Sequence, residues 1–264
     1  MNNHINSSNF TENGIAKIEN FLTIKDIEKL KKIVSIYCGP KNISGNSFPI
    51  NKIDILKNIK NPKKFLDIMK IFNIYNKYKL KNIAKKITGS NIELVMIDGY
   101  IAEKSNEHIL NWHVDQAYSG KKDVQDFVDP KKSIIKFFFY LTSVQSNNGC
   151  LGYIPGSHKI TFHLKEMIKN RIIDYSPYWS LKDLRALVKS EVVFSKLKKY
   201  ISKDFLMNFL ERSSFINEPN LDTKKYDFQM AEGGLLVFDE AGVHRGSSPS
   251  LNDRYVIRFF FRRK

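Results

Sequence analysis

The sequence predicts an α+β fold: a helical first third, then a β-rich core with one helical stretch set among the strands. Three observations predict it. Apolar residues recur at helical spacing as far as Gly89, the mark of amphipathic helices. From residue 92 the pattern turns to runs rich in β-branched and aromatic residues, which read as strands. No internal repeat and no Pro/Gly/Ser linker divides the 264 residues, so one domain covering 1–264 is expected. Helices first and strands after, with one helical insertion, suit a core built as a β-sandwich or barrel.

The first helix is expected over 24–37, where Ile24, Ile27, Leu30 and Ile33/Val34 share a face and Thr23 is placed to cap the N-terminus. Helical spacing continues over 61–87 and stops at Gly89. The run IELVMIDGYIAEK (92–104) is β-rich. SIIKFFFYLTSV (133–144) is apolar on both faces apart from Lys136, as a central strand would be. NNGCLGYIPGSHK (147–159) reads as turn, short strand, turn. Residues 160–226 are mixed, with helical stretches around 163–170, 181–189 and 195–211. GGLLVFDEAGVH (233–244) and RYVIRFFFRR (254–263) are two further strands, separated by a polar turn.

Composition narrows the function classes. At 42% hydrophobic the chain is globular. No run approaches the ~18 apolar residues of a membrane span, so no membrane partner is expected. The opening MNNHINSSNF has neither the basic head nor the apolar core of an export signal, and Cys38 and Cys150 form no spaced motif. Both points lead us to expect a cytoplasmic protein. The net charge of +16 raises nucleic acid as a partner. Yet 35 of the 43 basic residues are Lys, scattered among Ile and Asn. That is the look of a solvated surface rather than a polyanion site, so no nucleic-acid partner is expected. The eight Arg are distributed differently: five lie between 245 and 263.

The candidate chemistry begins at NWHVDQAYSG (111–120). His113 and Asp115, two apart on a strand, point to one face. Alone, the triplet reads equally as an ordinary polar pair at a strand end. A metal site needs a third ligand, and six His are available. His4 lies in the terminal segment, His108 in a polar loop, and His158 and His163 flank a turn. His244 ends a strand that carries Asp239 and a bend at Gly242. Two imidazoles and one carboxylate form the facial triad of non-haem Fe(II), which leaves positions open for a co-substrate and O2. Arg254, ten residues after His244, is placed to clamp a carboxylate bidentately. A dicarboxylate co-substrate such as 2-oxoglutarate needs such a group. Arg258 lies on the same strand face and is the alternative clamp. Lys136, mid-strand among apolar neighbours, reads either as an edge-facing cation or as an inward contact to the co-substrate. Trp112, Gln116 and Tyr118 read as packing or pocket wall.

Three segments in this order resemble the phytanoyl-CoA dioxygenase family of Fe(II)/2-oxoglutarate oxygenases: WHVDQAY, YLTSVQSNNGCLGYIPGSHK and GGLLVFDEAGVHRGSSPSLNDRYVIRFFF. The resemblance covers roughly 92–160 and 227–264. It implies a double-stranded β-helix (jelly-roll, cupin-like) core over 91–159 and 227–264, a helical N-terminal part over 1–90, and a helical insertion over 160–226. With Tyr175, Tyr178 and Trp179, that insertion is a candidate lid or substrate wall. The resemblance implies Fe(II) ligands at His113, Asp115 and His244, and 2-oxoglutarate held by Arg254 with help from Ser247. Arg245 stands where the family often has Gly, so the register of Ser247 and the choice between Arg254 and Arg258 stay open. Halogenating relatives lack the carboxylate, whereas Asp115 points to oxygen insertion or another oxidation. The implied activity is that of a 2-oxoglutarate-dependent dioxygenase, hydroxylating a small metabolite or biosynthetic intermediate.

Competing readings are a nucleic-acid-modifying oxygenase of the same metal type, a non-catalytic jelly-roll binding protein and a zinc hydrolase. The last shares the ligand set, but no Glu base adjoins the triplet in sequence. Pro155-Gly156-Ser157-His158 invites a Ser/His hydrolase, but the Gly-x-Ser-x-Gly elbow is absent, and His158 reads as structural.

Overall fold

The structure is a computed structural model that describes residues 7–38, 46–115, 133–146, 148–174, 178–214 and 224–264. A short helix α1 (Ser7–Asn13) leads into strand β1 (Ile15–Ile18). Helix α2 (Ile24–Tyr37) begins at Thr23, whose side chain accepts the Asp26 N–H, and it buries Ile27, Leu30, Ile33 and Val34. Strand β2 (Asn46–Phe48) precedes α3 (Lys52–Leu56), α4 (Pro62–Lys77) and α5 (Leu80–Thr88). Gly89 closes α5 at φ 63°, a left-handed conformation that a Cβ disfavours.

The strands follow: β3 (Ile92–Ala102), β4 (Leu110–Asp115), β5 (Ile134–Tyr140) and β6 (Leu151–Tyr153). Next come α6 (Ser157–Lys169), β7 (Tyr178–Ser180), α7 (Leu181–Lys189), α8 (Glu191–Leu197) and α9 (Lys203–Ser214). Strands β8 (Asp227–Phe228), β9 (Leu235–Asp239), β10 (His244–Gly246) and β11 (Arg254–Arg263) complete the chain.

These strands form two antiparallel sheets. The larger runs β1-β9-β5-β11-β3-β2 and the smaller β7-β4-β10-β6-β8. Alternation along β5 shows how the larger sheet is used on both faces. Ile135, Phe137 and Phe139 pack with α2, α4 and α5 in one apolar cluster. Phe138 and Tyr140 point the other way, joining Leu151 and Tyr153 of the smaller sheet. A third cluster lies behind the smaller sheet, where Trp112, Val114 and Trp179 pack under residues of α6 to α9. No helix among the described residues is long and apolar enough to cross a membrane.

Two regions differ from expectation. The helical first third contains β1 and β2, and β1 pairs with β9 over Ile15–Ile18. The 160–226 stretch contains β7, which pairs with β4 across His113, Val114 and Asp115. Strands of three or four residues are too short to show a period; the partner strand stabilises them.

Candidate active site

Strand β4 alternates as its sequence suggests. Trp112 and Val114 enter the apolar cluster behind the sheet, while His113 and Asp115 line a cavity of 310 Å³ between the two sheets. Strand β10 runs beside β4 with His244 directly opposite His113, and the two rings lie 4.4 Å apart. Asp115 completes the group: Oδ1 is 3.3 Å from His113 Nε2 and Oδ2 is 3.5 Å from His244 Nε2. The three ligand atoms lie within 4.8 Å of one another, the one such group among the described residues.

The imidazoles are oriented from behind. His113 Nδ1 bonds the Asn111 carbonyl at 2.6 Å, and His244 Nδ1 bonds the Gly242 carbonyl at 2.8 Å. A carbonyl only accepts, so each Nδ1 carries a proton and each Nε2 faces Asp115. Burial, with His113 alongside, pushes the His244 imidazole below its ordinary value, towards the neutral form. Burial works to raise the Asp115 carboxyl, but the Lys136 ammonium, with the two imidazoles alongside, outweighs it and holds Asp115 well below the carboxylate range. Two imidazole nitrogens and one carboxylate converge, a donor set that fits a divalent first-row ion with open positions.

The larger sheet supplies cations. Lys136 faces inward, buried, rather than out from an edge, and its partner there is a protein carboxylate: it donates to Asp115 Oδ2 at 2.7 Å. It also meets Glu240 at 3.2 Å. Burial pushes the Glu240 carboxyl up to about 7; Lys136 and Lys165 oppose that push, while the Asp115 charge adds to it.

The two arginines of β11 differ in what they meet. Arg258 is paired with Asp98 through Nε–Oδ1 at 2.7 Å and a second contact, Nη2–Oδ2. Arg254 donates to the Gly149 carbonyl at 2.6 Å and to the Tyr100 hydroxyl. It has no carboxylate partner among the described residues, and its Nε is buried without a hydrogen bond. Both line the cavity. Gly149 explains the fit: at φ 75°, a Cβ there would sit 2.9 Å from the Arg254 side chain.

Other expected residues lie elsewhere. Ser247 is fully buried, its hydroxyl donating to the Cys150 carbonyl at 2.8 Å, and it does not line the cavity. Trp179 packs behind β4 rather than in the cavity. Gln116, Tyr118, Tyr175 and the side chain of Tyr178 lie outside the described residues, as does His4. Arg245 stacks over Trp112 at 5.0 Å and pairs with Asp227 at 2.9 Å, on the face of β10 opposite His244. His108 lies 3.4 Å from Arg245. His163 meets Glu166 at 3.0 Å. The Ser157 hydroxyl donates to the Ile154 carbonyl and accepts the Val243 N–H, and His158 meets the Thr11 carbonyl at 3.1 Å, so this turn is structural.

Sequence reasoning passed over Asp98, Tyr100 and Glu240. Asp98 had a signal, an acid in the middle of an apolar β run. Glu240 is the Glu that sequence adjacency to the triplet did not supply, and it is tied to Lys136.

The fold has solved relatives. HygX from Streptomyces hygroscopicus, in a crystal structure with nickel and 2-oxoglutarate bound, is 14% identical with a TM-score of 0.53, covering 97% of this chain and 84% of HygX. The non-heme alpha ketoglutarate dependent carbocyclase SnoK from nogalamycin biosynthesis is 12% identical with a TM-score of 0.55, covering 97% and 82%. AviO1 from Streptomyces viridochromogenes Tue57 is 14% identical with a TM-score of 0.52, covering 97% and 92%. At such identities the likeness shows the fold. A search of curated proteins gives no match. The sequence pattern of the family described as Phytanoyl-CoA dioxygenase (PhyH) matches residues 10–254, a span that holds all three converging side chains and ends on Arg254, and the chain therefore belongs to that family.

Proposed function

We propose that this chain is an Fe(II)- and 2-oxoglutarate-dependent oxygenase that oxidises a small organic molecule, built on a double-stranded β-helix. One observation carries the reading: a buried arginine with no carboxylate partner among the described residues and a convergent His-Asp-His group open into the same cavity. His113, Asp115 and His244 would hold the metal, with the Nδ1 hydrogen bonds keeping both rings aimed. Arg254 would bind the far carboxylate of 2-oxoglutarate, because Asp98 already neutralises Arg258. Ser247 has no part in this scheme, its hydroxyl being engaged by Cys150. When bound, Fe(II) and 2-oxoglutarate supply the coupling of O2 to substrate oxidation, with succinate and CO2 as co-products. Met96, Phe138, Leu151 and Phe260 line the cavity; they would exclude water and suit an apolar part of the substrate. The metal and 2-oxoglutarate bound by HygX and the alpha ketoglutarate dependence of SnoK support the reading by analogy of fold.

The test is succinate release from 2-oxoglutarate by anaerobically Fe(II)-loaded protein exposed to O2. Succinate that disappears in both Asp115→Ala and His244→Ala is the expected result. Failure of the wild-type protein to bind either Fe(II) or 2-oxoglutarate by calorimetry would overturn the proposal.

A further inference from the structure

Glu240 lies in the turn between β9 and the distal histidine. Its N–H bonds the Ile134 carbonyl at 3.1 Å, which holds it against the start of β5. Its carboxylate lies 3.2 Å from Lys136 Nζ, and the same ammonium lies 2.7 Å from Asp115 Oδ2. The side chains of Lys136 and Glu240 are only 10% and 14% exposed. The result is a buried row of acid, base, acid: Asp115, Lys136, Glu240.

The row has a consequence for the metal site proposed above, on which this inference rests. Once Asp115 spends its charge on a dication, Lys136 remains as a buried ammonium close to that dication. Like charges so placed repel strongly at low dielectric. Among the described residues, Glu240 is the remaining acid within contact of Lys136. We propose that Glu240 is a positioning residue for the metal centre. It neutralises and anchors Lys136, so that Lys136 can hold Asp115 through Oδ2 without opposing the metal. Phe238 and Phe260, with ring centres 6.0 and 5.5 Å from Lys136 Nζ, keep the ammonium in place from the sides.

The experiment is calorimetric Mn(II) binding under anaerobic conditions by the whole chain, with thermal melts alongside. Four proteins are compared: wild type, Glu240→Gln, Glu240→Asp and the double variant Lys136→Met/Glu240→Gln. Glu240→Gln is expected to weaken Mn(II) binding about 10- to 100-fold, the range for residues that orient a metal ligand. Glu240→Asp keeps the charge and is expected to lose about threefold or less. The double variant removes both the cation and its counter-charge, so it is expected to recover most of the affinity. Unchanged binding in Glu240→Gln overturns the proposal. So does a double variant as weak as Glu240→Gln, since Glu240 would then act by packing and not through Lys136. If Glu240→Gln does not fold, a double variant that does fold and binds Mn(II) within about threefold of wild type supports the proposal, since Glu240 is then needed only while Lys136 carries its charge; a double variant that stays unfolded, or that binds tenfold or more weaker than Glu240→Asp, overturns it. A wild-type protein that binds no Mn(II) and no Fe(II) overturns both this inference and the function proposed above; binding in wild type with no change in the variants overturns this one alone.

Discussion

The two sheets hold their functional side chains by different means. In the larger sheet, β11 pairs with β3 from Arg254 to Arg263 and with β5 from Val256 to Arg262. Lys136, Arg254 and Arg258 therefore sit on long ladders backed by helices, and register fixes where they emerge. In the smaller sheet, His244 stands on a strand of three residues. Its geometry and that of His113 depend on backbone carbonyls and on Trp112, Val114 and Trp179 packed behind. The cation side of the cavity is a product of pairing, and the ligand side is a product of packing. The same cavity thus has a stiff wall and a wall whose precision comes from the 157–214 helices.

The largest expected effect removes the ligand wall outright. Asp115→Ala should reduce succinate formation to background while the protein stays folded, as an unchanged far-UV circular dichroism spectrum would show.

On the stiff wall, global stability should respond first. Phe137→Ala empties a fully buried position behind β5 and should cost about 3–5 kcal/mol in urea unfolding. Arg258→Leu strands the Asp98 carboxylate and should cost about 3 kcal/mol. Neither should shift Mn(II) affinity in protein that remains folded. Trp112→Ala should do the reverse of what stiffness predicts. It should loosen Mn(II) binding about tenfold, by letting His113 and its strand move. Equal Mn(II) effects from Phe137→Ala and Trp112→Ala would erase the distinction between the walls.

A smaller effect sharpens the choice between the arginines. Arg254→Leu should raise the KM for 2-oxoglutarate about 10- to 100-fold, the loss of a charge-assisted pair, with little change in metal affinity. A larger rise in Arg258→Leu would assign the clamp to Arg258.

The smallest effect lies far from the cavity, in the helices backing the larger sheet. Burial works to raise the Asp26 carboxyl, but hydrogen bonds from Lys77, Tyr78 and Thr23 bring it down to about 2. A depressed carboxylate adds stability above its unfolded value near 4, and that stability is lost as pH falls through about 2. Asp26→Asn should therefore cost about 1–2 kcal/mol at neutral pH and flatten the loss of stability between about pH 4 and pH 2, read by chemical unfolding across pH.

The ligand strand was readable because period-two alternation puts His113 and Asp115 on one face whatever lies around them. The helices α2, α4 and α5 were readable for the same kind of reason, with Thr23 and Gly89 marking ends. Strands β1, β2 and β7 were not, because three or four residues carry no period. The place of Ser247 was not legible, because it lies just past the three-residue strand β10, where the Cys150 carbonyl holds its hydroxyl.

By itself the sequence determined the alternation along β4 and β5, the caps of the N-terminal helices and, through three ordered segments, the family and its metal-binding triplet. Those are local properties, set by side chains one turn or one pleat apart. Only the tertiary structure decided that Lys136 faces inward, that Arg258 meets a carboxylate while Arg254 meets none among the described residues, and that Glu240 pairs with Lys136. Each of these depends on partners more than a hundred residues apart in the chain: Asp98 with Arg258, Gly149 with Arg254, and Lys136 with Glu240. Strand register across two sheets brings such partners together, and no local pattern encodes it.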